Sequence, residues 1–449
     1  MTGIWQHALD RMLRTLIKVG SLRVVMPRGQ TGDYGDPSNT PVTVRLLDVA
    51  TIRHFVLNPE LALGEAYMNG TLVIDDDDLH GLLAVVVHNV RNAGKTPVWW
   101  QKLSELSRAS LRGLSQKNLL ARSKLNVAHH YDLAGQLFDL FLDDDRQYSC
   151  GYFQQANATL EQAQTDKKAH IARKLLIKPG MSILDIGCGW GGMALTLARD
   201  HGARVVGITL SEEQYAFATE RAAREGLSDR IQFRLCDYRQ VEGTFDRIVS
   251  VGMFEHVGLP HYDDYFATIR NRLSPDGIAL IHTIGWAAPA KATNPWIAKH
   301  VFPGGYIPTL SEVMTAIEQN RLWSTDIECW RLHYAYTLRH WYDRFCAHED
   351  EVRELYDERF VRMWRFYLVA CEQTFRYAPQ AVFQMQLSRR VDAVPLTRDY
   401  LYDAGRMAPR PLMEGIRKPV LVAQSGQRHP PVETSNAHVN SFKDRTHDR

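Results

Sequence analysis

One run of ten residues constrains this 449-residue chain more than any other: Ile183-Leu184-Asp185-Ile186-Gly187-Cys188-Gly189-Trp190-Gly191-Gly192. An apolar segment stops at an acid, passes through closely spaced glycines and enters the helix-forming stretch MALTLARD. Glycines let a chain turn sharply and bring its backbone close to a ligand at the carboxyl edge of a sheet. On either side, SILDIG, ARVVGIT, IQFRLCD, FDRIVSV and IALIHTI alternate with helical stretches across residues 129–310. That βαβ rhythm predicts an α/β fold with a doubly wound sheet.

Two ligands compete for such a loop. Gly187, Gly189 and Gly192 satisfy G-x-G-x-x-G, which keeps a nicotinamide dinucleotide open. A dehydrogenase wants an acid closing the second strand, for the ribose hydroxyls. Here that strand ends Gly207-Ile208-Thr209-Leu210-Ser211, and Glu212 and Glu213 come only afterwards. Asp185 before the glycines suits an ammonium group, and Leu235-Cys236-Asp237-Tyr238 sets an acid where an adenine amino group can donate. Both features favour S-adenosylmethionine, although Asp237 also reads as a surface turn aspartate.

The rest of the chain narrows the class. Lys and Arg total 53 against 51 Asp and Glu, a net charge of +2 that argues against a dedicated nucleic-acid binder. The six cysteines (Cys150, Cys188, Cys236, Cys329, Cys346, Cys371) form no C-x-x-C pair, so neither a zinc knuckle nor a disulfide framework is expected, and no metal is called for. They predict a reducing, cytoplasmic setting. No apolar run approaches the roughly 20 residues of a membrane span, and MTGIWQHALDRMLRTLIKVG lacks the apolar core of a secretory signal.

Five segments follow in order. Residues 1–20 form a basic amphipathic helix, for a lipid surface or for packing on its own domain. Residues 21–90 form a small N-terminal domain, mixed α+β from Val42 onward, in which Asp75–Asp78 reads as a solvated turn and helix start. Residues 91–128 carry eight basic side chains against Glu105, opened by Pro97-Val98-Trp99-Trp100; this suits an anionic headgroup layer or a solvated linker helix. Residues 129–415 form the catalytic domain, helical and aromatic after 311, with Leu355, Phe360, Trp364, Tyr367 and Phe375 expected in the core. Residues 424–449 read as a disordered tail.

Several words in order resemble the cyclopropane-fatty-acyl-phospholipid synthase family. They are His130-Tyr131-Asp132-Leu133, Tyr148-Ser149-Cys150-Gly151-Tyr152-Phe153, LDIGCGWGG, GITLSEEQ, GMFEHVG, LIHTIG, Asn294-Pro295-Trp296-Ile297 and Val301-Phe302-Pro303-Gly304-Gly305. ALGEAYMNG at residues 62–70 resembles the members that act on phospholipid. The resemblance implies a class I methyltransferase (Rossmann-like) sheet, S-adenosylmethionine as methyl donor, unsaturated phospholipid as substrate and a homodimer at the membrane. The methyl adds to a cis double bond, a bound bicarbonate removes a proton from it, and the ring closes.

By the same resemblance the bicarbonate site falls on Cys150, Glu255, His282, Ile284 and Tyr334. Cofactor contacts fall on Tyr148, Ser149, Gly187, Gly189, Thr209, Leu210, Ser211, Gln214, Asp237 and Tyr238, beside Asp185. Taken singly, Cys150 reads as a structural thiol, Glu255 as an ion-pair member and His282 as a core histidine. Two rivals remain: a fatty-acyl methyltransferase that leaves a methylene or methyl branch, and a lipid-binding protein with an inactive cofactor fold.

Overall fold

The computed structural model describes residues 2–92 and 135–402. The basic stretch, the HYDL word and the C-terminal tail fall outside the described residues, apart from the first residues of the basic stretch. The N-terminal part is a four-stranded sheet of β1 (Ser21–Val25), β2 (Thr31–Gly35), β3 (Val42–Leu46) and β4 (Leu72–Ile74), in the order β2-β1-β3-β4. Alternation orients it: Leu22 and Val24 are buried while Arg23 points outward and pairs with Asp33 at 2.7 Å.

The amphipathic helix Thr2–Leu16 covers this domain. Leu9 and Ile17 are buried, and Trp5, Ala8, Met12, Leu13 and Leu16 pack on the same core. Ile4 stands 71 % exposed beyond that contact. The aspartate run is tied down locally. Asp75 pairs with Arg45 at 2.7 Å, Asp77 with Arg365, and Asp78 accepts from the Gly81 N–H at 2.7 Å.

The second sheet has seven strands in the order β10-β11-β9-β8-β5-β6-β7. They are β5 (Ser182–Ile186), β6 (Arg204–Thr209), β7 (Ile231–Leu235), β8 (Phe245–Val251), β9 (Leu273–Trp286), β10 (Trp323–Trp330) and β11 (Gln380–Ser388). β5 to β9 are mutually parallel, and β11 runs antiparallel to both β9 and β10. Ile183, Leu184 and Ile248 are fully buried, as strands covered on both faces require. The chain leaves β5 toward β6 on one side and returns to β8 on the other, which makes β5/β8 the crevice of the fold.

Two expectations need correction. The region after 311 is not simply helical, because β10 and β11 lie within it. Their sequences, WSTDIECW and QAVFQMQLS, hide as strands because they carry polar residues that this protein pairs internally. Lys174 meets Asp326 at 3.1 Å and Glu328 at 2.6 Å, and the Gln386 amide donates to the Lys174 carbonyl at 2.5 Å. The amphipathic stretch from Glu349 also breaks into helices Glu349–Leu355 and Glu358–Tyr377, the second capped by Asp357. Leu355 ends the first helix and is 39 % exposed, so it is not core; Phe360 is half-buried, and Trp364, Tyr367 and Phe375 are buried.

Candidate active site

A cavity opens at the carboxyl ends of β5, β6, β7 and β8, under the glycine loop. Gly187 has φ +79°, and a Cβ there would lie 2.8 Å from that of Met253. Gly189 has φ +53°, with nothing within 4 Å of the position its Cβ would take. One glycine permits close packing, and the other leaves bare backbone facing open space. Gly191, also left-handed, starts the helix Gly192–His201.

Asp185 lies beneath the loop and is only 2 % exposed. Its Oδ2 has no hydrogen-bond partner among the described residues, and burial alone raises its pKa to about 7. An acceptor left in this state is suited to a cationic ligand group. Opposite, the Thr209 hydroxyl donates to Gln214 Oε1 at 2.8 Å, and both line the cavity with Leu210. Ser211 does not line it; its hydroxyl instead accepts from the Gln214 N–H, capping the helix Glu212–Arg224.

Asp237 is buried rather than a surface turn residue, at 4 % exposure. Both its oxygens are held by Arg239, at 2.7 and 2.8 Å, so its carboxylate is already paired where it faces the cavity. Tyr238 is buried beside it, edge-on to Tyr265.

Tyr148 and Ser149 form the opposite wall, and their support was not legible in the sequence. Lys167 is fully buried, its Nζ 2.7 Å from Ser149 Oγ and 2.8 Å from Gln147 Oε1. Burial lowers its pKa to about 8. Gln164, one helical turn earlier, donates to the carbonyls of Gln147 and Ser149 at 3.2 and 2.9 Å. In LEQAQTDKKAH these side chains look like an ordinary solvated helix face. Arg146, Trp190 and Met253 also line the cavity without having been singled out, though Trp190 and Met253 sit inside quoted motifs.

The five other residues do not line this cavity; Cys150 and His282 are buried, and Glu255, Ile284 and Tyr334 are half-buried. Glu255 Oε1 accepts from the Ile284 N–H at 2.7 Å, so that amide is spent on orienting the carboxyl. Oε2 has no hydrogen-bond partner among the described residues. Burial raises the Glu255 pKa to about 7, partly offset by the Ile284 amide. His282 pairs with Val251 of β8, and its imidazole is pushed well below its ordinary pKa by burial, so it is neutral. Gln384 Nε2 donates to its Nδ1 at 3.1 Å, which leaves the ring proton on Nε2.

Cys150 is fully buried, its thiol donating to the Gly151 carbonyl at 3.4 Å. Burial pushes its pKa up, which keeps it a thiol and argues against a nucleophile. Tyr334 is held protonated by burial, with the neighbouring Tyr148, Cys150 and Glu255 pushing its pKa in the same direction. His256, next to Glu255, does line the cavity, but burial lowers its pKa to about 4.

A family model described as mycolic acid cyclopropane synthetase matches residues 119–385, more than half of the chain. The chain belongs to this family. A second model, a domain of unknown function (DUF7884), matches residues 8–95. The cyclopropane-fatty-acyl-phospholipid synthase of Escherichia coli (strain K12) is 38 % identical over 357 residues, covering 79 % of this chain and 90 % of that protein. The tuberculostearic acid methyltransferase UfaA1 of Mycobacterium tuberculosis is 32 % identical, over 85 % and 90 %. Among solved structures, the cyclopropane synthase MmaA2 of Mycobacterium tuberculosis matches with a TM-score of 0.56 at 33 % identity, covering 59 % of this chain and 97 % of that one. The mycolic acid cyclopropane synthase CmaA1, complexed with SAH and CTAB, gives 0.57 at 32 % identity, with 59 % and 97 % coverage. As a member of the mycolic acid cyclopropane synthetase family, this protein is an S-adenosylmethionine-dependent methyltransferase with a class I fold.

Proposed function

We propose that the enzyme builds a cyclopropane ring across the cis double bond of unsaturated phospholipid acyl chains, working from the cytoplasmic face of a membrane. One observation carries the chemistry. Glu255 is a buried carboxyl with one oxygen fixed by Ile284 and the other without a hydrogen-bond partner among the described residues. When bound, S-adenosylmethionine supplies the carbon that becomes the third ring member, and bicarbonate takes the proton that leaves it.

The chain's own residues fit both groups. Asp185 offers an acceptor to a cationic cofactor, and the bare backbone at Gly189 lets it approach. Glu255 Oε2 holds and orients the bicarbonate, and a carboxyl with a pKa of about 7 can share a proton with that anion without strong repulsion. The His282 Nε2–H and the Tyr334 hydroxyl add donors. The rings of Tyr148, Tyr334 and Trp341 pack together, with centroids 5.1 Å apart for Tyr148–Trp341 and 5.8 Å for Tyr334–Trp341. Such faces favour a developing positive charge and keep water from it.

A second reading has support in the UfaA1 relative, named as a tuberculostearic acid methyltransferase. The same cation losing a different proton leaves a methylene branch. For the membrane, the N-terminal helix and the basic residues of 91–128 supply positive charge, and a homodimer gives a bivalent hold.

The test is incubation of the full-length protein with S-adenosylmethionine, bicarbonate and vesicles of cis-unsaturated phospholipid. A mass gain of one methylene with upfield ring protons in the NMR spectrum supports cyclopropanation. The same gain with olefinic methylene protons moves the answer to branching, and no product despite cofactor binding points to another acceptor.

A further inference from the structure

Strand β11 carries two fully buried glutamines, Gln384 and Gln386. Gln386 is engaged at both ends of its amide, by the Lys174 carbonyl at 2.5 Å and the Thr325 hydroxyl at 2.8 Å. Gln384 is not: its Nε2 lies 3.1 Å from His282 Nδ1, while its Oε1 has no hydrogen-bond partner among the described residues. Gln384 stands in register with His282 of β9 on one side and with Glu328 of β10 on the other. Directly opposed residues on antiparallel strands share a face of the sheet. Glu328, Gln384 and His282 therefore form a polar row across three strands. The helix Leu160–Lys174 anchors its outer end, where Glu328 meets His170 at 2.7 Å and Lys174 at 2.6 Å. Trp330 of β10 lies edge-on to the His282 ring, with centroids 5.1 Å apart.

A buried amide with one end unused costs stability, so the fold alone gives no reason for Gln384. Its use lies at Nε2. An imidazole whose Nδ1 accepts from an amide N–H carries its proton on Nε2. With the amide turned, Oε1 would face the ring, the proton would sit on Nδ1, and Nε2 would become an acceptor. A doubly protonated ring would set its Nδ1–H against the amide N–H. The orientation of one amide thus selects both the tautomer and the neutral form of His282. Among the described residues the ring has no other hydrogen-bond partner, so no second contact competes with this choice. Burial, aided by Lys167 and Lys174 and opposed by Glu328, favours the neutral ring as well.

We propose that Gln384 is a positioning residue for the proton-transfer step, fixing His282 as the Nε2–H tautomer that donates to the bicarbonate. This rests on the reading of His282 as part of the bicarbonate site. The opposite tautomer would set a nitrogen lone pair against an oxygen of the anion. Trp330 holds the plane of the ring, and Gln384 decides which of its nitrogens carries the proton.

The experiment reads the tautomer and the response to bicarbonate separately. Full-length protein labelled with nitrogen-15 histidine gives two-bond proton–nitrogen NMR spectra, in which the His282 signals are those lost in His282→Gln. Wild-type His282 is expected as the neutral Nε2–H tautomer, and a ring protonated on Nδ1 overturns the proposal. Gln384→Glu keeps the shape and, when ionised, offers only acceptors, so it should protonate Nδ1. Gln384→Met keeps the bulk without a donor. Turnover is then followed against added bicarbonate in depleted buffer, with S-adenosylmethionine and cis-unsaturated phospholipid vesicles. Each variant should need about 10-fold more bicarbonate for half-maximal turnover, with S-adenosylhomocysteine affinity as in the wild type. An unchanged bicarbonate dependence in both variants, or an equal loss of S-adenosylhomocysteine affinity, overturns the positioning role. Wild-type turnover indifferent to bicarbonate overturns the bicarbonate reading itself, and the proposal with it. If Gln384→Glu fails to fold, Gln384→Met and the wild-type spectrum decide.

Discussion

Asp185 and Glu255 are both buried carboxyls, and burial brings each to a pKa of about 7. For such groups the folded protein holds protons that the unfolded chain releases near pH 4. Their contribution to stability is therefore intact below that pH and is lost as pH rises through about 7. A cofactor ammonium beside Asp185 would reverse the preference and expel its proton. At pH 6, S-adenosylhomocysteine binding should release close to one proton, ~0.9 for a group titrating at 7. Calorimetry in buffers of different ionisation enthalpy measures it, and Asp185→Asn should abolish the release. A buffer-independent enthalpy in the wild type would mean that Asp185 is already ionised. Glu255 carries a different expectation. Glu255→Gln keeps an acceptor for the Ile284 amide but cannot share a proton with bicarbonate. Turnover should fall by about 10²-fold or more with S-adenosylhomocysteine affinity unchanged; equal turnover would remove Glu255 from the chemistry.

The glycine loop separates two demands that a motif runs together. Gly187→Ala meets both a left-handed backbone and Met253 at 2.8 Å. It should cost about 1–3 kcal/mol of stability and lower the thermal midpoint even without ligand. Gly189→Ala carries the backbone cost but meets no protein atom within 4 Å, so its larger effect should be on cofactor affinity. Parallel thermal melts and binding curves distinguish the two. This loop and β5 to β9 were legible because buried parallel strands are apolar on both faces. β10 and β11 were not, since Asp326, Glu328, Gln384 and Gln386 break the apolar pattern. Their partners, Lys174, His170, His282 and Tyr400, come from distant parts of the chain. The same limit hid Lys167 and Arg146. Each is defined by what it touches across a fold, and nothing in its neighbouring residues distinguishes it from a surface cation.

The N-terminal domain is joined to the catalytic one by more than chain connectivity. The Trp296 indole N–H donates to Met68 Sδ at 3.1 Å, and Glu65 takes Lys299 and His300 at 2.6 and 3.0 Å. On the helix Glu358–Tyr377, Glu372 is buried against His80, Arg339 and Arg376. Trp296 opens a segment that ends beside Glu255. Phe302 lies against His256 and Tyr367, and the Tyr306 N–H bonds the Glu255 carbonyl at 3.0 Å. No helix among the described residues is long and apolar enough to cross a membrane. A lipid-facing role for the N-terminal domain would be felt at Glu255 through these packed side chains. Gly64 is the place to test that linkage, because a Cβ there would lie 2.4 Å from Trp296 Nε1. Gly64→Val should push Trp296 out of its seat and lower the thermal midpoint. Turnover on phospholipid vesicles should fall several-fold while S-adenosylhomocysteine binding stays as in the wild type, since Trp296 does not line the cavity. If the midpoint drops and turnover does not, the N-terminal domain stabilises the fold without positioning Glu255. If cofactor binding falls in step with turnover, Trp296 supports the whole catalytic domain rather than one edge of its site.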